Sequence, residues 1–333
     1  MFEPEQMEKE FEKNRKSALS KQTQESKFYA LRIFREFCAE KYDESIESIV
    51  EKLKDYPKSA YQMIADFKER ETKRGISTAV TKLRFHYIKV FLKENGIVVD
   101  DTTKIKDIFG RIEKHLREPV QHDEIEKILR CCDNHIKAII MIQATGGLRI
   151  SEVLQLKAGD FVPGERYQIK IRAETTKTKQ ERRTFLSKEA EEFVLPFLQG
   201  KNKNDLVLSY SRSGVTHHLA TAVRKAGVEK KYEHSKHLTI TSHSFRAFFI
   251  TQMGKLEGVF GHVLAGHDHY MKEYDRFTTE ELLEKYIEGE ENLQIFNRIN
   301  QKKMRGLEDR LEEQEKTIEV LQKQVLNNMV RVK

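Results

Sequence analysis

Apolar residues recur every three or four positions in two stretches near the N-terminus, which is the spacing that places them on one face of an α-helix. The first stretch runs from Ser26 to Glu40, and its apolar residues are Phe28, Leu31, Phe34 and Phe37. The second begins at Ser77, a residue type that caps helices, and ends at Asn95-Gly96, a pair that accepts the left-handed conformation. Its apolar positions are Val80, Leu83, Tyr87, Val90 and Phe91. Both stretches are predicted to be amphipathic helices.

The middle of the chain combines helices with a short sheet. A helix is predicted to begin at His122, and residues 136–144 form a second whose almost wholly apolar sequence indicates burial on all sides. Residues 167–171 alternate between polar and apolar types, and residues 183–186 can pair with them across a polar turn at 175–181. The predicted fold class is therefore mainly α with a small antiparallel β-sheet.

A polar stretch between Val98 and Val120 marks a predicted domain boundary. We predict an N-terminal extension at 1–19, a helical domain at 20–116, a second domain at 117–300 and a C-terminal helix at 301–333. From Met304 to Val332 the apolar residues follow a 3-4 repeat, which is typical of a coiled coil. A single amphipathic helix docked on its own domain is the alternative.

Composition and charge narrow the class of protein. The 333 residues include 60 Lys and Arg against 53 Asp and Glu, and this net charge of +7 is compatible with a polyanionic partner without indicating one. No run of about 18 apolar residues occurs, and the N-terminal residues are acidic, so we expect neither a membrane span nor secretion. Three cysteines, two of them adjacent, cannot form a disulfide framework. We therefore expect a cytoplasmic protein.

Two motifs of the second domain each present an arginine that could bind an anion. The string TGGLRISEVLQL at 145–156 places Arg149 after a glycine turn and at the start of a helix, where backbone N–H groups also favour negative charge. The string HSFR, from His243 to Arg246, sets an imidazole and a guanidinium three residues apart on one helix face. Taken alone, Arg149 could equally form a structural salt bridge with Glu152.

Two further segments carry groups suited to proton transfer and nucleophilic attack. The Ala-Gly-His string at 265–267 presents His267, and Tyr270 and Tyr274 follow it. The predicted hairpin turn carries Lys177 and Lys179. Arginines can bind the two non-bridging oxygens of a phosphodiester, a tyrosine can attack phosphorus, and a lysine can donate a proton to the leaving oxygen.

These motifs, in this order, resemble those of the tyrosine recombinase, or phage integrase, family, and the resemblance covers about residues 120–274. It implies a two-domain clamp on double-stranded DNA, with a core-binding domain at 20–116 and a catalytic domain at 117–300. The implied activity is site-specific recombination through a 3′-phosphotyrosine intermediate, carried out by a homotetramer in a synaptic complex. No cofactor and no metal are implied, and the protein would associate with the nucleoid when bound to DNA.

The resemblance also assigns roles to individual residues. Carried onto this sequence, the catalytic residues are Arg149, Lys177, His243, Arg246, His267 and Tyr274. Lys179 is the alternative to Lys177 as the general acid, and Glu152 is expected to brace the arginines. The family commonly places its tyrosine nine residues after the second histidine, where this chain has Arg276. Tyr274 is assigned instead, with Tyr270 and Tyr286 as alternatives that are otherwise expected to pack their rings and leave their hydroxyls in solvent.

Other interpretations of the same residues remain at this point. The histidines at 262, 267 and 269 match no common zinc motif, so we expect no zinc site. The basic residues around the turn are expected to contact phosphate, with a solvated hairpin as the alternative. They are Arg166, Lys170, Arg172, Lys177, Lys179, Arg182 and Arg183. Two other functions fit the resemblance: a DNA-binding protein that no longer cleaves, and a type IB topoisomerase that relaxes DNA.

Overall fold

The computed structural model describes residues 21–110, 118–232, 237–266 and 277–296. The chain divides into two compact units, Met1–Leu116 and Arg117–Lys333, which we call unit 1 and unit 2. The predicted N-terminal extension at 1–19 and the predicted coiled coil at 301–333 lie outside the described residues. Among the helices that are described, none has the length and apolar character needed to cross a membrane.

The described part of unit 1 is helical. Its helices are α1 (Lys21–Tyr42), α2 (Ile46–Asp55), α3 (Ala60–Lys73), α4 (Thr78–Glu94) and α5 (Thr102–Phe109), with a 3₁₀ turn at Pro57–Ser59. Aromatic rings form the centre of the core, because Phe34, Phe37 and Phe67 lie with ring centroids 5.3 to 6.1 Å apart. Burial of such rings is the main source of stability for a helical unit of this kind.

Helix α4 has the predicted ends but a different buried face. The Ser77 hydroxyl accepts a hydrogen bond from the Val80 amide at 3.4 Å, and Gly96 has a φ of 83°, so both end signals are confirmed. However, Val80 is 42% and Leu83 is 53% exposed, so of the predicted apolar positions only Phe91 is fully buried. Along with Phe91, the helix buries Thr81, Phe85, Ile88 and Leu92. Two apolar stripes run along α4, and the one with the larger rings faces the core.

Helix α5 lies inside the stretch that the sequence marks as a polar boundary. Asp101 caps it, because its carboxylate accepts hydrogen bonds from the amides of Thr103 and Lys104, both at 3.0 Å. At its other end Phe109 is buried and packs against Phe85 of α4, with ring centroids 5.2 Å apart. Residues 102–109 are therefore part of the unit 1 fold, which their polar composition did not reveal.

Unit 2 is built around one buried helix. Its helices are α6 (His122–Arg130), α7 (Asn134–Gly146), α8 (Ile150–Val153), α9 (Lys188–Val194), α10 (Arg212–Lys225), α11 (Ser242–Met253), α12 (Phe260–Ala265) and α13 (Thr279–Gly289). Helix α7 is buried at nearly every position from Ile136 onward and packs against α6, α9, α10 and α11. The predicted buried helix is confirmed, and it delivers the chain to the glycine turn that follows.

A three-stranded antiparallel sheet lies in unit 2. The strands are β1 (Phe161–Val162), β2 (Gln168–Ile171) and β3 (Arg182–Phe185), in the order β1-β2-β3. The register pairs Ile169 with Thr184 and Ile171 with Arg182, so the predicted hairpin is confirmed. Strand β1 was not predicted, because two residues are too few to show an alternating pattern. The fold class, mainly α with a small antiparallel sheet, is confirmed.

Candidate active site

The glycine turn after α7 fixes the start of the site. Gly147 has a φ of 70°, a left-handed conformation that side-chain-bearing residues rarely adopt. A Cβ atom at this position would lie 2.3 Å from the ring of Phe249, so α11 approaches the turn as closely as only glycine permits. Arg149 follows as the N-cap residue of α8. The turn therefore brings Arg149 next to α11, the helix that carries Arg246.

A single polar side chain joins the two arginine motifs. Gln143, which is buried in α7, donates from Nε2 to the Leu148 carbonyl at 3.1 Å. Its Oε1 accepts a hydrogen bond from the Ser242 hydroxyl at 2.8 Å. Leu148 and Ser242, which precede Arg149 and His243, are thus both hydrogen-bonded to the side-chain amide of Gln143. Sequence reasoning missed this residue, although a lone glutamine in an almost wholly apolar helix was the available signal.

Glu152 is a buried carboxylate that contacts two arginines. The Arg149 amide donates to Glu152 Oε2 at 2.8 Å, and Arg149 Nη1 donates to Oε1 at 3.1 Å. Arg182 Nη1 and Nη2 donate to the same two oxygens at 3.0 and 2.5 Å. Burial raises the pKa of Glu152, but the hydrogen bonds and charges of Arg182 and Arg149 outweigh it, so this pKa lies below its ordinary value. Glu152 is therefore ionised and fixes both arginines.

Arg246 is a buried cation with unsatisfied hydrogen-bonding groups. The side chain is fully buried, and Nη1 donates to the Gly147 carbonyl. Its Nε and Nη2 have no hydrogen-bond partner in the described part of the chain. Burial, together with the charges of Arg149 and Arg182, lowers the pKa of Arg246 to about 9, although Glu152 acts in the opposite direction. At neutral pH the group stays charged, so the cluster holds more positive than negative charge.

His243 lies in the first turn of α11, three residues before Arg246. The residue is exposed, whereas Arg246 is buried, so the two lie at different depths along one face of the helix. Thr241 is the N-cap residue of this helix, and in a capping box its amide donates a hydrogen bond to the Ser244 hydroxyl at 3.0 Å. The positive end of the helix dipole adds to the charge of Arg246 at this end of α11.

The two candidate lysines lie in the turn between β2 and β3. Lys177 and Lys179 are both exposed, and Lys179 has a left-handed φ of 55°. Thr176 shapes the turn: it is buried, its hydroxyl donates to the Ala173 carbonyl at 3.0 Å, and it accepts from the Gln180 amide at 3.1 Å. An exposed turn can present either lysine to a ligand, so both stay candidates for the general acid.

The basic residues around the hairpin divide into paired and exposed groups. Arg166 Nη2 lies 2.6 Å from Glu290, and Arg172 Nε lies 3.2 Å from Asp160. With Arg182 bound to Glu152, three of the seven basic residues have carboxylate partners inside unit 2. The local excess of positive charge that could contact phosphate is therefore smaller than the sequence suggests. It is divided between the turn, which carries Lys177 and Lys179, and the strands, which carry Lys170 and Arg183.

The candidate tyrosines fall into two groups. Tyr270 and Tyr274, like His267, lie outside the described residues. Tyr286 lies on α13, is fully buried and donates its hydroxyl to the Thr145 carbonyl at 2.8 Å. Burial raises its pKa well above the ordinary value. The expectation of a solvent-exposed Tyr286 hydroxyl was wrong, because the Thr145 carbonyl near the end of α7 accepts its hydrogen bond within the core.

No group of three or more His, Cys, Asp or Glu side chains that could hold a metal ion occurs within the described ranges. The described site is instead rich in guanidinium groups, because Arg149 and Arg182 both contact Glu152 and Arg246 lies beside them. Such a site is suited to a phosphate or phosphodiester group, because each charged hydrogen bond would be made in a partly desolvated setting.

Comparison with known proteins relates one segment of the chain to a family. Residues 118–259 match the model of the phage integrase family. The chain is similar to a lambda integrase(75-356) dimer bound to a COC′ core site, with 15% identity, a TM-score of 0.59, and coverage of 82% of this chain and 97% of that one. It is also similar to a lambda integrase tetramer bound to a Holliday junction, with 16% identity, a TM-score of 0.59, and coverage of 82% and 78%.

At these identities the structural likeness concerns the fold alone. No curated protein matches the sequence significantly. The family model spans Arg149 and Arg246, the two arginines that the fold brings together. Residues 118–259 of this chain form a domain of the phage integrase, or tyrosine recombinase, family.

Proposed function

We propose that this protein is a site-specific DNA recombinase that cuts and rejoins double-stranded DNA through a 3′-phosphotyrosine intermediate. One observation carries the proposal: Arg246 is buried beside Arg149, with two nitrogens that lack a hydrogen-bond partner among the described residues. Burying such a group costs free energy unless a ligand completes it. A phosphodiester supplies the missing acceptors, and its negative charge grows when a nucleophile attacks.

In the proposed first step, the phenolic oxygen of Tyr274 forms a bond to phosphorus while the bond from phosphorus to the 5′ oxygen breaks. The products are a 3′-phosphotyrosyl link and a free 5′ hydroxyl. Arg149 and Arg246 would bind the non-bridging oxygens, and His267 would donate a hydrogen bond to the same phosphate. Tyrosine has an unperturbed pKa near 10, so it needs a proton acceptor, and we assign His243 to assist that transfer.

The leaving 5′ oxygen needs a proton, because an alkoxide is a poor leaving group. We propose that Lys177 donates it, with Lys179 as the alternative, since both are exposed in the turn and can reach toward a bound strand. In the second step, a 5′ hydroxyl of the partner strand attacks the phosphotyrosine and releases the tyrosine. The number of phosphodiester bonds is conserved, so the proposed cycle consumes no nucleotide cofactor.

Exchange between two duplexes requires more than one protomer. One of the lambda integrase structures to which this chain is similar is a tetramer bound to a Holliday junction, and we propose a tetramer here. The 3-4 repeat at 301–333 is proposed to support that assembly through a coiled coil. Truncation before Met304 would then weaken oligomerisation and synapsis, whereas unchanged assembly of the truncated chain would argue against this role.

The reaction can be tested even though the DNA site is undefined. The full chain is incubated with a pool of random-sequence duplexes, each nicked once within the random region. A nick close to the cleaved phosphate lets the short 5′-hydroxyl fragment diffuse away, which traps the covalent complex. Adducts are isolated under denaturing conditions, the DNA is sequenced, and the modified peptide is identified by mass. We expect enrichment of one sequence and a DNA-linked peptide that contains Tyr274.

Matched variants separate the possible outcomes. Tyr274→Phe should abolish the adduct while Tyr270→Phe retains it, and the reverse result would transfer the nucleophile to Tyr270. Adducts without any sequence enrichment would favour sequence-independent relaxation of DNA over recombination. DNA binding with no adduct from any duplex in the pool would contradict the proposal and favour a protein that binds DNA without cleaving it.

A further inference from the structure

Arg182, the first residue of β3, lies where three parts of the site meet. We propose that Arg182 is a positioning residue that orients Arg149 through Glu152 and so sets the rate of DNA cleavage; this inference rests on the function proposed above. From the sequence, Arg182 was expected only to contact phosphate, as one of the basic residues around the turn. Its contacts in the folded chain give it this further role.

The first contact is a bidentate ion pair. Arg182 Nη1 and Nη2 donate to the two oxygens of Glu152 at 3.0 and 2.5 Å. Glu152 in turn accepts from both the amide and the guanidinium of Arg149. A carboxylate held by a planar fork of donors has one orientation, whereas a carboxylate held by a single donor can rotate. Since helix α8 has only four residues, it cannot fix Arg149 by its own length.

The second contact reaches the turn that precedes His267. Arg182 Nε donates to the Leu264 carbonyl near the end of α12 at 3.2 Å. Gly266 has a left-handed φ of 66°, and a Cβ atom there would lie 2.5 Å from Arg182 Cδ. The chain can therefore pass this close to the arginine only with glycine at that position. Arg182 thus connects β3, the carboxylate of α8 and the end of α12.

The same contacts distinguish Arg182 from a residue that binds phosphate directly. All three of its guanidinium nitrogens already donate hydrogen bonds to acceptors of the chain, and its side chain is 11% exposed. Arg246, in contrast, has two nitrogens with no partner in the described part of the chain. A phosphate would therefore bind Arg246 without breaking an existing bond, whereas binding to Arg182 would first require Glu152 to be displaced.

The first test needs no DNA. In the full chain, the Arg149 amide donates a hydrogen bond to Glu152, which should protect it from hydrogen exchange, and NMR can follow that one amide. Arg182→Ala should speed its exchange by about tenfold or more. Arg130→Ala is the matched control, because Arg130 forms an ion pair of 2.6 Å with Glu126 on the surface of the same unit. It should leave the Arg149 amide unchanged, and an unchanged amide in Arg182→Ala would overturn the inference.

The second test uses the nicked duplex enriched from the random pool, in two forms. One carries the ordinary phosphodiester, and the other carries an uncharged methylphosphonate at the cleaved position. On the ordinary duplex, Arg182→Ala should cleave about 100-fold more slowly, with its Kd for DNA changed by less than about threefold. On the methylphosphonate duplex the deficit should shrink to about tenfold or less, because an uncharged phosphorus centre depends less on a correctly aimed Arg149.

Two further variants test whether the rate pattern of Arg182→Ala comes from the orientation of Arg149. A Lys177→Ala variant, which lacks the proposed proton donor, should lose the same factor in cleavage rate on the ordinary and on the methylphosphonate duplex. Arg182→Lys should recover part of the cleavage rate, since a lysine can make one of the two bonds to Glu152. It also serves as the test variant if Arg182→Ala does not fold.

An equal loss of cleavage rate on both duplexes, or normal cleavage by Arg182→Ala, would overturn the inference. Failure of the unmodified chain to form any adduct would instead reject the proposed function, and amide exchange would then decide the positioning role alone.

Discussion

Both units bury a glutamate between two arginines, and the two clusters differ in the balance between positive and negative charge. In unit 1, Glu71 is fully buried, lies 3.1 Å from Arg70 Nη1 and also contacts Arg84. Arg70 has a second carboxylate partner, because its Nη2 lies 2.7 Å from Glu40. The two largely buried arginines, Arg70 and Arg84, thus face two glutamates and their charges are balanced, while the half-exposed Arg74 lies 3.9 Å from Glu40 at the edge of the cluster.

In unit 2, Glu152 occupies the equivalent position between Arg149 and Arg182, but a third arginine lies beside them. Arg246 shares no carboxylate in the described residues, and two of its nitrogens make no hydrogen bond there. The comparison teaches that burial of an ion pair is not in itself a sign of function, since both units have one. The unbalanced charge distinguishes the cluster of unit 2, because none of the carboxylates that the structure describes pairs with Arg246.

The largest difference between the clusters should appear on removal of Arg246. Arg246→Met should slow adduct formation by about 1000-fold or more, because a guanidinium that stabilises the transition-state charge is lost. The same substitution should raise the free energy of unfolding by about 1 to 3 kcal/mol, because a buried charge without full hydrogen bonding is replaced by an apolar side chain. Single-turnover adduct assays and denaturant unfolding measure the two effects. A strongly destabilised Arg246→Met would contradict the account.

The balanced cluster should respond in the opposite way. Arg84→Met removes one partner of the buried Glu71 and should lower the free energy of unfolding by about 3 kcal/mol. Arg74→Met is its control, because Arg74 lies 3.9 Å from Glu40 and is about half exposed, and it should change stability by less than about 0.5 kcal/mol. Equal effects of the two substitutions, measured by denaturant unfolding, would remove the distinction between a buried network and a surface pair.

The depressed pKa of Glu152 gives the unit 2 cluster a dependence on pH. A carboxylate whose pKa is lower in the folded than in the unfolded chain stabilises the fold above the ordinary value of 4.5, and this contribution is lost as pH falls through the folded pKa. The unfolding free energy of the unmodified chain should therefore fall more steeply below pH 4.5 than that of Glu152→Gln. If the unfolding free energies of the two proteins fell with the same slope below pH 4.5, Glu152 would make no pH-dependent contribution to stability.

The smallest expected effect concerns Tyr286. Tyr286→Phe removes the hydrogen bond to the Thr145 carbonyl and should cost about 1 kcal/mol of unfolding free energy, since the ring stays packed against Phe185. Adduct formation should continue at a similar rate, because the hydroxyl is a donor in the core and not the proposed nucleophile. Loss of the adduct in a folded Tyr286→Phe protein would reverse the assignment of the tyrosines.

Features encoded by nearby residues were predictable from the sequence. The glycine turn before Arg149, the three-residue spacing of His243 and Arg246, and the hairpin with its lysines all appear in the fold. Each depends on local geometry: a left-handed glycine, a helical repeat or an alternating strand. The family resemblance added the order of the motifs, which no single motif would have supplied.

Features that depend on packing between distant residues were not predictable. Glu152 and Arg182 are 30 residues apart, and nothing in either segment indicates that they pair. Helix α4 has two apolar stripes, and only its packing against α1 and α3 decides which one is buried. The two-residue strand β1 and the bonds made by Gln143 are likewise set by neighbours that the sequence does not place beside them.

The central claim is that the arginine cluster of unit 2 is a phosphodiester site, and a small phosphodiester tests it most directly. The free energy of unfolding is measured for the full chain and for Arg246→Met across a series of diethyl phosphate concentrations, with sodium chloride at matched ionic strength as the reference. A ligand that binds only the folded state stabilises it in proportion to RT ln(1 + [L]/Kd). We expect diethyl phosphate to stabilise the unmodified chain beyond the chloride reference and to give Arg246→Met no such gain. An equal response of the two proteins would contradict the account.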